Sequence, residues 1–218
     1  MPKNTRLRPR VRFPAPLPRM QSARGKTMLA AVVGGSLLLQ GVTAASAISV
    51  LLPPGANLPV PSTTAATEPT MDGFVIHDSL VPFSIKTASG AVLCQGELQD
   101  RVVQSDKTGQ LDFYYAIRNT KGTGAINRLF AGSFSGQPLR VAYRTDGLGT
   151  VQPITAVRSA APGAEVEFTL LDPPVSCAKH QESRFMLIRT DVKTFQAGGK
   201  ARIVATTGAI ATVPIVMP

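Results

Sequence analysis

Apolar and polar residues alternate cleanly over 111–118: Leu111, Phe113, Tyr115 and Ile117 fall on one side, Asp112, Tyr114, Ala116 and Arg118 on the other. Successive side chains of a pleated strand point to opposite faces, so the pattern predicts a strand with its apolar side on a core. No other stretch gathers three aromatics so closely, and aromatic and β-branched residues suit a pleated surface. This stretch is read as the central strand of a sheet. Residues 91–98 and 101–104 also read as strand. Asp106-Lys107-Thr108-Gly109 joins them to the central strand as a tight hairpin turn, with Gly109 placed for positive φ. Further strands are expected at 126–134, 139–144, 154–158, 165–171, 185–190, 201–206 and 209–216, with turns at Lys121-Gly122-Thr123-Gly124, Ser135-Gly136-Gln137-Pro138 and Ala161-Pro162-Gly163. No segment sustains a 3.6-residue period and no repeat of fixed length is present. Many short strands between regular turns predict an all-β fold: an antiparallel two-sheet sandwich, immunoglobulin-like in general form.

Before the sandwich the pattern changes twice. Residues 1–47 read as an export signal: eight Lys or Arg and no acid, then an apolar run over 28–39 too short to span a bilayer, then Ala45-Ser46-Ala47. Small residues at Ala45 and Ala47 suit signal peptidase and place cleavage before Ile48, with Thr43-Ala44-Ala45 as the second choice. The proline- and arginine-rich residues 1–19 add nothing that a signal needs, and Met20 would open a signal of ordinary length. Residues 48–72 hold Pro53, Pro54, Pro59, Pro61 and Pro69 among Ser, Thr and Ala, and read as an extended linker. Residues 73–218 form one domain, long enough to bury roughly 70% of its unfolded surface.

This division changes the meaning of the charge. The chain has 23 basic and 13 acidic residues, net +10. Eight of the basic residues and none of the acidic ones lie in 1–47, so the remainder is close to balance. The basic excess therefore belongs to the leader, and no nucleic-acid partner is expected. No membrane span is expected after cleavage.

Leu111-Asp112-Phe113-Tyr114-Tyr115 with Asn119, Tyr143-Arg144-Thr145-Asp146-Gly147, Arg158-Ser159 and Arg189-Thr190-Asp191 resemble a pattern in secreted bacterial β-rich proteins, many of which carry a PEP-CTERM sorting tail. The resemblance covers roughly Gly96 to Gly199. The end of this chain, Ile215-Val216-Met217-Pro218, lacks the apolar span and basic stop of such a tail. The resemblance implies an exported fold and no catalytic residues.

Candidate chemistry is sparse. His77-Asp78-Ser79 contains the residue types of a hydrolase triad, but neighbours on an extended chain point to opposite faces and cannot form the relay among themselves. A polar turn before the first strand is the plainer reading. Cys94, Cys177, His77 and His180 are the residue types of a zinc site, yet only Cys177 and His180 have ligand spacing. In an exported chain, two cysteines point instead to a Cys94–Cys177 disulfide. Arg118, Arg128, Arg140, Arg144 and Arg158 recur at strand positions, with Asp112 and Asp146 available to pair. They form either a basic face for acidic glycans or a solvated face of ion pairs worth under about 1 kcal/mol each, and the second reading is preferred. Asp146-Gly147-Leu148-Gly149 lacks the further acids of a calcium loop. Glu165 and Glu167 share a strand face, as a glycosidase pair would, or simply form that strand's solvent side. With no Trp and three Tyr, a sugar-stacking platform is weakly supported.

The chain is expected to be an exported, non-catalytic module of the periplasm, cell surface or extracellular space. Its role would be structural or would consist of binding a glycan, a surface polymer or a protein, with no cofactor. A secreted hydrolase acting on a surface glycan through an unfamiliar site is the alternative. N-terminal sequencing of the exported protein should begin at Ile48; a retained Met1 or Met20 would refute the leader.

Overall fold

The structure, a computed structural model, describes residues 48–218. Residues 1–47, read above as an export signal with Ala45 and Ala47 at its expected cleavage point, lie outside the described residues. Fourteen strands form two seven-stranded sheets packed face to face, so the all-β sandwich expected from the alternation is the architecture found. The first sheet runs β1 (Val50–Leu51), β8 (Arg140–Arg144), β12 (Met186–Arg189), β6 (Leu111–Gly122), β5 (Val92–Ser105), β4 (Gly73–Lys86), with β3 (Ser62–Thr63) beside β8. The second runs β14 (Ile210–Met217), β13 (Gln196–Ala205), β7 (Ala125–Ala131), β10 (Val166–Thr169), β9 (Thr155–Arg158), β2 (Asn57–Pro59), with β11 (Val175–Ser176) beside β7. All pairings between strands are antiparallel except β3 with β8. Among the described residues no helix is long and apolar enough to cross a membrane.

The central strand is β6, held between β5 and β12. Leu111, Phe113, Tyr115 and Ile117 are fully buried between the sheets. There Phe113 meets Phe134 of the second layer edge-on at 5.6 Å, a favoured aromatic geometry. The other side of β6 is not the solvent face that the alternation suggested. Asp112, Tyr114, Ala116 and Arg118 are each at most 4% exposed. Tyr114, Ala116, Ala142, Phe185, Leu187 and Met71 form a second apolar cluster on the outer surface of the first sheet.

Part of that cover comes from the supposed linker, which is a correction to the domain boundaries. Residues 48–72 are stitched into both sheets: β1 pairs with β8, β2 with β9 and β3 with β8. The chain thus crosses from the first sheet to the second near Pro53-Pro54 and returns near Pro61. Leu52, Val60, Thr63 and Met71 are buried. The prolines do not forbid this, because β1 and β2 are edge strands, where a missing N–H leaves no ladder bond unmade. The same reasoning applies to β4, whose His77-Asp78-Ser79 was read as a polar turn before the first strand. It is a 14-residue edge strand that tolerates Pro82 and a bulge between Val75 and His77.

Cys94 and Cys177 form the disulfide, fully buried, with Cα atoms 5.7 Å apart. It ties β5 of the first sheet to the segment after β11 of the second.

Phe113→Ala should cost about 3–5 kcal/mol in a urea titration, and Tyr114→Ala a loss of the same order because its face is also covered. Leu80→Ala, on exposed edge strand, should be near neutral. A neutral Tyr114→Ala would show that the second cluster contributes nothing. Thiol titration of the unfolded, unreduced protein should find no free thiol. Reduction should remove up to about 4.5 kcal/mol, the chain-entropy value for a loop of this length.

Candidate functional site

The first sheet is irregular where β5 and β6 approach the disulfide. Their register holds Gln95 opposite Lys121 and Glu97 opposite Arg118, so Gly96 alone faces both Asn119 and Thr120. This is a β-bulge, a device that re-aims side chains. Asn119 takes the extra turn at φ +51°, a left-handed conformation that asparagine tolerates better than most residues. Gly96 is required by closeness: a Cβ there would lie 2.7 Å from the Arg118 carbonyl oxygen and 3.1 Å from the Phe83 ring.

The bulge opens a groove of about 620 Å³ between Pro82 and Phe83 on one side and His180 and Glu182 on the other, with Gln95, Glu97, Asn119 and Lys121 along it. His180 sits on the segment rooted by Cys177, whose own N–H donates to the Gly124 carbonyl at 3.0 Å. His180 also has positive φ, +52°. Its Nδ1 lies 2.8 Å from the Thr120 carbonyl oxygen. A carbonyl only accepts, so in the neutral ring Nδ1 carries the proton and Nε2 keeps its lone pair. The two groove carboxylates are both engaged as acceptors. Glu97 takes a hydrogen bond from Asn119 Nδ2 at 2.5 Å, and Glu182 takes one from Asn119 N–H at 3.0 Å and pairs with Arg118 at 3.2 Å. The Thr120 hydroxyl donates to the Gln181 carbonyl at 2.7 Å. Two lining residues were in view from the sequence, Asn119 at the end of the alternating run and His180 as a zinc candidate; Gln95, Glu97 and Glu182 carried no signal.

The residues singled out from sequence lie elsewhere or are otherwise employed. His77 and Ser79 share a face of β4, while Asp78 points the other way and pairs with Arg101 at 2.7 Å. The carboxylate near His77 is Asp100, at 3.5 Å. Ser79 Oγ and Asp100 Oδ2 both approach the same nitrogen, Nε2, whereas a relay needs one partner on each ring nitrogen. Asp100 also accepts the Val216 N–H at 2.8 Å and so joins β5 to β14 across the sandwich. The four zinc candidates do not gather: both sulfurs are in the disulfide, and the two histidines belong to different surroundings. Among the described residues no group of three or more His, Cys, Asp or Glu is placed to hold a metal ion. Glu165 pairs with Arg202 at 2.6 Å and Glu167 with Arg128 at 3.8 Å, on the outer side of the second sheet.

The arginines do not form one basic face. Arg128 is on the outer side of the second sheet, and Arg158 turns inward, 2% exposed. Arg118, Arg140 and Arg144 are on the outer side of the first sheet, where Arg118 and Arg144 are matched by acids and stacked on rings and Arg140 donates to the Ser49 hydroxyl and carbonyl. The guanidinium groups of Arg101 and Arg118 both lie over the Phe185 ring, at 4.9 and 4.7 Å. Arg144 grips Asp146 with two bonds of 2.5 and 2.6 Å. Arg189 bridges Asp112, at 3.1 Å, and Glu68. Glu68 in turn accepts hydrogen bonds from the Ser49 N–H and hydroxyl at 3.1 and 2.7 Å.

The two acids on Arg189 respond in opposite directions. Burial works to raise the Glu68 carboxyl, but the Ser49 hydrogen bonds and Arg189 outweigh it and hold it below its ordinary value. Burial dominates at Asp112 and pushes it up to about 6, despite Arg189. A carboxyl raised by folding stabilises the fold below its unfolded pKa, and that contribution is lost as pH rises through the folded value. Asp112 should therefore take away up to roughly 3 kcal/mol between about pH 4 and pH 6. Glu68 acts oppositely, its contribution lost as pH falls below the ordinary carboxylate range. Asp100, also raised by burial, adds to the Asp112 arm. Asp112→Asn should flatten, without abolishing, the fall in unfolding free energy over that interval; an unchanged slope would remove Asp112 from the account.

Comparison of the chain with models of known protein families, with curated proteins and with solved structures finds no match.

Proposed function

We propose that this chain is an exported, non-catalytic β-sandwich module that binds a hydroxyl-rich ligand, a glycan or surface polymer, in the groove beside the β5–β6 bulge. The observation that carries the reading is the concentration of backbone irregularity there. Of the three non-glycine residues with positive φ among those described, Asn119, Ser133 and His180, two line this groove. Sparsely populated backbone conformations persist where the surroundings impose them, and they cluster at binding sites. The side chains gathered are planar amides and carboxylates, an imidazole lone pair and a lysine, with Pro82 as an apolar wall. Such a mixture of donors and acceptors matches a sugar ring's hydroxyls better than it matches an apolar or strongly charged ligand.

The bonding of the same residues supports binding over hydrolysis. Glu97 and Glu182 each accept a hydrogen bond from Asn119, and Glu182 also pairs with Arg118, so both carboxylates are employed in holding the bulge. His180 is oriented by a backbone carbonyl, and the Thr120 hydroxyl in the same groove is turned to another carbonyl.

Screening the purified protein on an array of neutral and acidic glycans, followed by calorimetry, tests the reading. A specific glycan should bind, and His180→Ala and Glu97→Gln should each weaken it tenfold or more, about 1.4 kcal/mol or above, with an unchanged melting temperature. No glycan binding, or full affinity in both variants, would overturn the groove as the site. Shortened glycan products after prolonged incubation would replace the module with a hydrolase.

A further inference from the structure

A second cavity, of about 290 Å³, opens where the chain crosses between the sheets after β1 and where the segment before β8 runs past it. Leu51, Leu52, Pro54, Pro138 and Leu139 give it apolar walls, and Arg158 is the only charged residue lining it. Arg158 stands at an inward position of β9, opposite Val166, and is 2% exposed. Its guanidinium donates to four carbonyl oxygens: Gly163 at 3.0 Å from Nε, Leu52 at 3.1 Å from Nη1, and Phe134 and Gln137 at 3.1 and 2.7 Å from Nη2. Of its five N–H groups, one on Nη1 is left over.

Hydrogen bonding is thus nearly complete, but charge is not balanced. Carbonyls supply dipoles and no net charge. Of the two arginines buried among the described residues, Arg118 is paired with Glu182 and Arg158 with no acid. A buried cation without a counter-ion is costly, and here it borders an open apolar cavity. The complement of that combination is an anion with an apolar body. The volume is at the lower end of small-molecule sites, roughly 300–1,000 Å³, which suits a short chain.

We propose that this cavity binds a small free carboxylate with an aliphatic tail, a medium-chain fatty acid, with its carboxylate paired to Arg158 and its chain against Leu51, Leu52 and Leu139. The site is separate from the glycan groove and does not depend on it.

Titrating the full protein with octanoate, and separately with 1-octanol at the same ionic strength, tests this by calorimetry and methyl NMR. Octanoate should bind at one equivalent, at least tenfold more tightly than octanol, and shift the methyl resonances of Leu51, Leu52 and Leu139. Arg158→Met should abolish the preference for the acid, but that variant risks the fold because it frees four buried carbonyls. Leu51→Glu avoids the risk: Leu51 is 50% exposed, and a carboxylate there would compete for Arg158 and repel the ligand, weakening octanoate at least tenfold. No saturable octanoate binding, equal affinity for acid and alcohol, shifts confined to other residues, or full affinity in Leu51→Glu would each overturn the proposal.

Discussion

One guanidinium decides whether the first sheet has one buried face or two. Arg189 reaches from β12 to Asp112 on the central strand and to Glu68 on the incoming segment, and Glu68 holds Ser49. That chain of bonds draws residues 62–72 over the sheet and sets Met71 against Tyr114, Ala142 and Leu187. Strand pairing alone would hold the segment weakly, because β3 contributes only two residues. Removing one member of such a buried pair leaves the other charge stranded, at a cost far above that of losing a surface ion pair. The apolar cluster and the charged bridge therefore need each other: the cluster excludes water from the bridge, and the bridge positions the cover.

The sandwich was legible because its inner faces obey the simplest rule, alternation with turns between. β5 to β10 and β12 to β14 fall near where that pattern places them. What was not legible follows from three physical causes. Proline was read as the mark of a linker, yet Pro59 sits on an edge strand where no ladder bond is lost, so β2 was missed; β4 was missed because the polar His77-Asp78-Ser79 was read as a turn. Asp112 and Arg118 were read as solvent-facing because they are charged, whereas each is buried with a partner from a distant strand, which no local pattern encodes. Arg158 was grouped by its type with a solvated face of ion pairs, although its neighbours in the fold are carbonyls.

The groove was less legible than the sheets. It depends on one extra residue in β6 and on a segment rooted 83 residues away through the disulfide. Asn119 was in view as part of a motif, but its left-handed conformation was not. The regular strands act as a stiff frame, and the chemistry collects where that frame is interrupted, at the bulge and at the crossings between sheets. The same frame explains the ring-and-cation stacks on both outer surfaces, Arg101–Phe185–Arg118 on one and Arg128–Phe130–Arg202 on the other. In each, long charged side chains lie flat over an aromatic that would otherwise be wet.

The disulfide has a mechanical meaning as well as a thermodynamic one. A pull applied at the two ends of the folded chain passes through the sulfur bridge and bypasses the 83-residue loop that it closes. That loop contains β6 to β11, so the groove-side half of β5, all of the central strand and the inner strands β7 and β10 feel no tension once the flanking strands have yielded. At roughly 3.4 Å per residue, the bridge withholds about 280 Å of extension. Drawn out by its ends, the molecule would lengthen as two short tails on either side of a knot that stays tied.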